Sequence, residues 1–102
     1  MLNLDKYAKL KKSREANKKK CYKIVLKQII NEVETIMIQD VDFIVFEVEP
    51  FMFGETEYNM LECVDYVINK IKKDENFIKI IEHISFNEPN LLYIKWNLAK
   101  VN

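Results

Sequence analysis

Glycine is almost absent from this chain: Gly54 stands alone, and proline occurs only as Pro50 and Pro89. A single glycine excludes a phosphate-cradling loop of the P-loop or dinucleotide type, which needs several positions without a Cβ. So few breakers also call for long regular elements and short connections. Cysteine is scarce as well. Cys21 and Cys63 are isolated, neither lies in a C-x-x-C, and the single histidine, His83, is near neither in sequence. A structural zinc site takes about four closely spaced soft or imidazole ligands, so no metal site is expected. The thiols read as reduced and helix-borne, with a disulfide between the two helices as the alternative. No apolar run exceeds about five residues, far short of a bilayer span. The first five residues, Met1 to Asp5, lack the apolar core of a signal peptide. A soluble, intracellular protein without membrane contact is expected.

Catalytic groupings are lacking too. His83 falls on a strand with no carboxylate pattern to mark it as an activated base. Glu47/Glu49 and Glu55/Glu57 alternate as solvated faces do. A calcium loop would need more oxygen ligands and a glycine at a set position. The chain is therefore expected not to be an enzyme, and to use no cofactor and no small-molecule substrate.

What is present is a charge split. Residues 1–27 carry ten bases and two acids, net +8, and residues 28–102 carry six bases and fourteen acids, net −8. A formal charge of zero thus conceals a basic arm and an acidic body. The bases are Lys6, Lys9, Lys11, Lys12, Arg14, Lys18, Lys19, Lys20, Lys23 and Lys27. They surround a helix rather than forming one stripe. Diffuse lysine suits attraction to a phosphate backbone, while one arginine is poor equipment for bidentate reading of bases.

In 102 residues there is room for one domain. The pattern predicts a basic helical arm, 1–20, and an α+β domain, 21–102. Tyr22, Val25, Leu26, Ile29, Val33, Ile36 and Met37 recur at helical period. No breaker separates them from the arm, so one helix is expected from Asp5 to Met37, about 50 Å long. Residues 42–49 predict a strand, apolar on both faces from Phe43 to Phe46 and so expected to be buried on both sides. Pro50 ends it. A second helix begins near Asn59, which has capping-box spacing with Glu62. Its buried stripe is Met60, Val64, Val67, Ile68 and Ile71, and Asn76 is expected to end it in the left-handed conformation. Residues 77–86 and 91–96 predict an antiparallel hairpin across Asn87–Asn90. Together these make an α+β fold: a long N-terminal helix, then strand-helix-strand-strand in a three-stranded mixed sheet. Its expected order is 1-3-2, a split βαβ, with helices on one face and the other face partly open.

Aromatic residues supply a second candidate surface. Phe51, Phe53 and Tyr58 flank Gly54. They either pack back over the sheet or form a protein-contact patch. Trp96, in phase with Leu92 and Ile94, reads as a core anchor rather than a base-stacking platform.

The stretch Val48–Trp96 resembles a family of small uncharacterised proteins of giant nucleocytoplasmic DNA viruses. The likeness rests on Pro50, Phe53-Gly54, Tyr58, Leu61-Glu62-Cys63, Tyr66, Phe77 and Pro89-Asn90-Leu91-Leu92-Tyr93-Ile94-Lys95-Trp96. A Lys-rich amphipathic segment upstream is a shared trait. The resemblance implies a viral protein found in the host-cell cytoplasm or the virion, and it implies no activity. The expected function is that of a viral accessory or virion-associated binding protein. Its basic helix would contact nucleic acid or another polyanion, and its α+β module would dock to a viral protein or a second copy. The alternative is a purely structural or assembly protein whose basic helix packs on an acidic protein surface or on a second copy.

Overall fold

A computed structural model of the chain describes residues 3–55 and 57–101. The basic segment and the apolar stripe after it form one helix, α1, from Leu4 to Ile38. Asn3 caps its start by accepting the Lys6 backbone N–H at 3.0 Å, satisfying one of the donors that a helix start leaves free. At the other end Asp40 takes a φ of 64°, a conformation that aspartate tolerates better than most residues, and the chain turns into the sheet.

The elements that follow are β1 (Phe43–Glu47), α2 (Met60–Lys73), β2 (Ile81–Asn87), β3 (Leu91–Trp96) and a short 3-10 turn, Leu98–Val101. Sheet order is β1-β3-β2, as the split βαβ pattern predicts. Every bonded pair is antiparallel, Ile44 opposite Ile94 and Ile94 opposite Ile84. The sheet is thus antiparallel, not mixed: β1 and β2 run the same way, but β3 lies between them and keeps them from pairing.

Element boundaries moved where a side chain competed for backbone donors. Residues 77–80 form a turn, not the start of the second strand. The Asp74 carboxylate accepts the N–H groups of Asn76 and Phe77 at 3.0 and 2.9 Å. This local bonding draws the backbone away from the ladder. Asp74, with ψ 118°, ends α2. Among the described non-glycine residues only Asp40 has positive φ, so Asn76 is not the left-handed terminator predicted.

The core lies between one sheet face and the two helices. Val25, Ile29 and Val33 of α1 and Cys63, Val64, Val67 and Ile71 of α2 meet Ile44, Val48, Leu92, Ile94 and Trp96. Each such side chain contributes on the order of 1.5–3 kcal/mol when fully buried. Cys21 and Cys63 are part of this core as free thiols, while Ile68, expected inside, is only half-buried. The chain is 63 × 27 × 20 Å along its principal axes.

The opposite sheet face is uncovered. Phe43 and Val45 are 44% and 50% exposed, so β1 is not buried on both sides. Both helices sit against the other face, which takes Ile44, and the pleat turns alternate residues away from them.

Candidate nucleic-acid interface

The ten bases of the arm fall into two sets on α1. Lys11, Arg14 and Lys18 continue, at steps of three and four, the line that leads into Cys21, Tyr22 and Val25. They therefore face the body of the protein. Arg14 Nε meets Glu57 Oε1 at 3.5 Å, and Lys18 Nζ meets Glu62 Oε2 at 3.5 Å and Glu15 Oε1 at 3.7 Å. Lys18 is the one base of the ten that is not exposed. Lys12, Lys19, Lys20, Lys23 and Lys27 point to the other side of the helix, with Lys6 and Lys9 near them. Among the described residues, eight of the ten bases, all but Arg14 and Lys18, form no ion pair. Exposed pairs such as these contribute about 0–1 kcal/mol each, so they orient the arm's root rather than hold the fold together.

Tyr22 fixes that root. Its hydroxyl donates to Glu62 Oε2 at 2.9 Å and accepts the Asn59 backbone N–H at 3.3 Å. Asn59 caps α2 by accepting from the Glu62 N–H at 3.0 Å. In a capping box the residue-three carboxylate would return to the cap's own N–H. Here the Tyr22 hydroxyl is inserted between the two groups and ties the start of α2 to α1. Burial, then the hydrogen bond to Glu62, pushes the Tyr22 phenol up to about 12. Its ring lies 5.8 Å from those of Tyr58 and Tyr66, and Lys70 Nζ stands 5.5 Å above Tyr66.

The three aromatic contact candidates separate. Tyr58 is half-buried in the Tyr22 cluster, and its hydroxyl donates to the Glu49 carbonyl at 2.6 Å. Phe51 and Phe53 do not pack back on the sheet: they are 73% and 99% exposed. Gly54, with φ 81°, closes the turn between Met52 and Glu55 that holds them outward.

The buried thiols offer no nucleophile. Burial pushes Cys63 up to about 11, and burial together with Glu55 raises Cys21. Both are neutral near pH 7, whereas a reactive cysteine needs its thiolate. Among the described residues no group of three or more His, Cys, Asp or Glu could hold a metal ion, and no helix is long and apolar enough to cross a membrane.

One surface escaped the sequence pattern. On the open sheet face Phe43, Lys95 and His83 stand in register across all three strands, and Val45, Tyr93 and Ser85 form the next row. The Tyr93 ring is 5.9 Å from Phe43 and 5.8 Å from His83. The alternation of Phe43 and Val45 with Ile44 and Phe46 carried half of this signal. The pairing register, invisible in one sequence, carried the rest.

No curated protein and no solved structure matches the chain. A family model does, over residues 2–72, more than half of its length. The chain thus belongs to DUF5759, a family of unknown function.

Proposed function

We propose that this is a non-enzymatic binding protein whose basic helix engages nucleic acid or another polyanion while the α+β module docks to protein. The observation that carries this reading is the set of eight arm bases that no carboxylate engages among the described residues. They are spread over the sides of a helix that begins at Leu4, 17 residues ahead of its first buried side chain, Cys21. Phosphates reached by several of them release condensed counterions, which favours binding without sequence preference. The exposed Phe51 and Phe53 support a protein contact by the module. The likeness over Val48–Trp96 implies a viral origin, and the accessory or virion-associated role is proposed on that ground.

Fluorescence anisotropy with labelled DNA and RNA at two salt concentrations tests the reading. The informative variant carries Lys12→Glu, Lys19→Glu, Lys20→Glu and Lys23→Glu, since these bases make no ion pair among the described residues. It is expected to lose binding and to melt like the parent. Absence of binding by the parent in low salt would overturn the polyanion reading. It would favour the alternative, packing of the basic helix on an acidic protein surface or a second copy, a reading that the Arg14–Glu57 and Lys18–Glu62 pairs support.

A further inference from the structure

The open sheet face presents an arrangement that a purely electrostatic arm does not need. Phe43 and His83, from the two outer strands, each adjoin the Tyr93 ring of the central strand. Lys95 stands in register between Phe43 and His83. No ion pair engages Lys95 among the described residues. Large aromatics on the outer face of a small sheet forgo the stabilisation that burial gives, and a cluster of them marks a surface for contact.

We infer that this face is a stacking platform for single-stranded nucleic acid: bases lie on Tyr93 and Phe43, and Lys95 and His83 meet the phosphates between them. The inference rests on the nucleic-acid reading of the arm and narrows it to unpaired strands. Every base has a π-face, so rings on a sheet accept single strands with little sequence preference, whereas a duplex keeps its bases stacked inside and offers the rings nothing. Charge argues for this occupant. The face joins rings to Lys95, a cation that no carboxylate engages among the described residues, and this pairing matches alternating bases and phosphates. A purely apolar partner would bury Lys95 without a counter-charge, at a cost. Glu47, the acid at the far end of the face, is turned toward the 87–90 connector, where its Oε1 accepts from Asn90 Nδ2 at 3.4 Å.

The two surfaces separate by experiment. Anisotropy is measured with an oligonucleotide as a single strand and as its duplex, for the parent, Tyr93→Ala, Tyr93→Trp and the four-lysine variant above. Tyr93→Ala is expected to weaken single-strand binding about tenfold and to leave duplex binding unchanged. Tyr93→Trp is expected to retain affinity, with its indole emission quenched by the single strand. Trp96 is buried on the other sheet face and gives a constant background. Equal loss on both substrates, or no loss, with the fold intact by circular dichroism, overturns the platform and leaves the arm reading standing. Should the parent bind neither substrate, both fall. A dimer dissociated by Val45→Glu would identify this face as a self-interface and overturn the inference.

Discussion

Tyr22 joins three things at one hydroxyl: α1, the cap of α2 and the Glu62 carboxylate that also receives Lys18. Tyr22→Phe keeps the ring contacts and removes those bonds, so a loss of about 1–2 kcal/mol is expected in urea unfolding. The same residue shapes the alkaline limit of stability. In the unfolded chain Cys63 and Tyr22 lose their protons near their ordinary values of 9.0 and 10.0, while the fold holds them to about 11 and about 12. Over that window the unfolded state binds fewer protons, so stability is whole below about pH 9 and falls as pH rises toward 12. Urea midpoints across that range should slope less steeply in Tyr22→Phe than in the parent. Asn90 matters for another reason. It is the buried polar side chain among the described residues; its backbone carbonyl accepts the Val48 N–H at 2.8 Å, and its side-chain amide donates to the Val48 carbonyl at 3.0 Å. Asn90→Ala is expected to cost about 1–3 kcal/mol by leaving that carbonyl without its side-chain donor. Trp96→Ala opens the floor of the core and should cost about 3–5 kcal/mol, with Ile68→Ala well below it because Ile68 is only half-buried.

Among the elements, α1 is two functional pieces on one rod. From Cys21 onward its stripe is core; before it the same line is continued by Lys18, Arg14 and Lys11. Truncation separates the pieces. A 14–102 fragment should melt as cooperatively as the full chain. A 21–102 fragment gives up the Arg14–Glu57 and Lys18–Glu62 pairs, which places its loss at no more than about 2 kcal/mol. Loss of cooperative melting in the shorter fragment would show that the arm packs on the body. For α2 the start is the sensitive point: Asn59→Ala removes the cap to the Glu62 N–H and should cost about 1 kcal/mol. The sheet follows from its central strand. β3 carries Leu92, Ile94 and Trp96 inward, all almost wholly buried, and pairs on both edges, so its register decides which residues of β1 and β2 share the open face.

At the scale of the whole molecule, the opposed charges of arm and body are spread along a particle 63 Å long. Ionic strength should therefore govern its associations: the logarithm of nucleic-acid affinity is expected to fall with the logarithm of salt at about −0.9 per phosphate contacted on duplex. A flat response would remove the counterion argument. How far the sequence reaches depends on the range of the interaction. The helical period of Tyr22–Met37, the cap at Asn59 and the exposure of the lysines are local properties, and the residues themselves determine them. The sequence favoured the observed strand order, because a hairpin after a βαβ crossover leaves few ways to pair β3. It also allowed β2 beside β1, and the pairing of β3 on both edges decided between them. Three features belonged to the tertiary structure alone. Asp74 draws residues 76 and 77 into a turn only because Phe77 and Ile80 find the core from there. Tyr22 enters the α2 cap from 37 residues away. Phe43, Tyr93, His83 and Lys95 become one surface only when register aligns three strands. The second and third are meetings of residues distant in the chain, and the first, though its bonds are local, depends on one through Phe77 and Ile80. Such meetings are settled by packing, which leaves no periodic trace in the sequence.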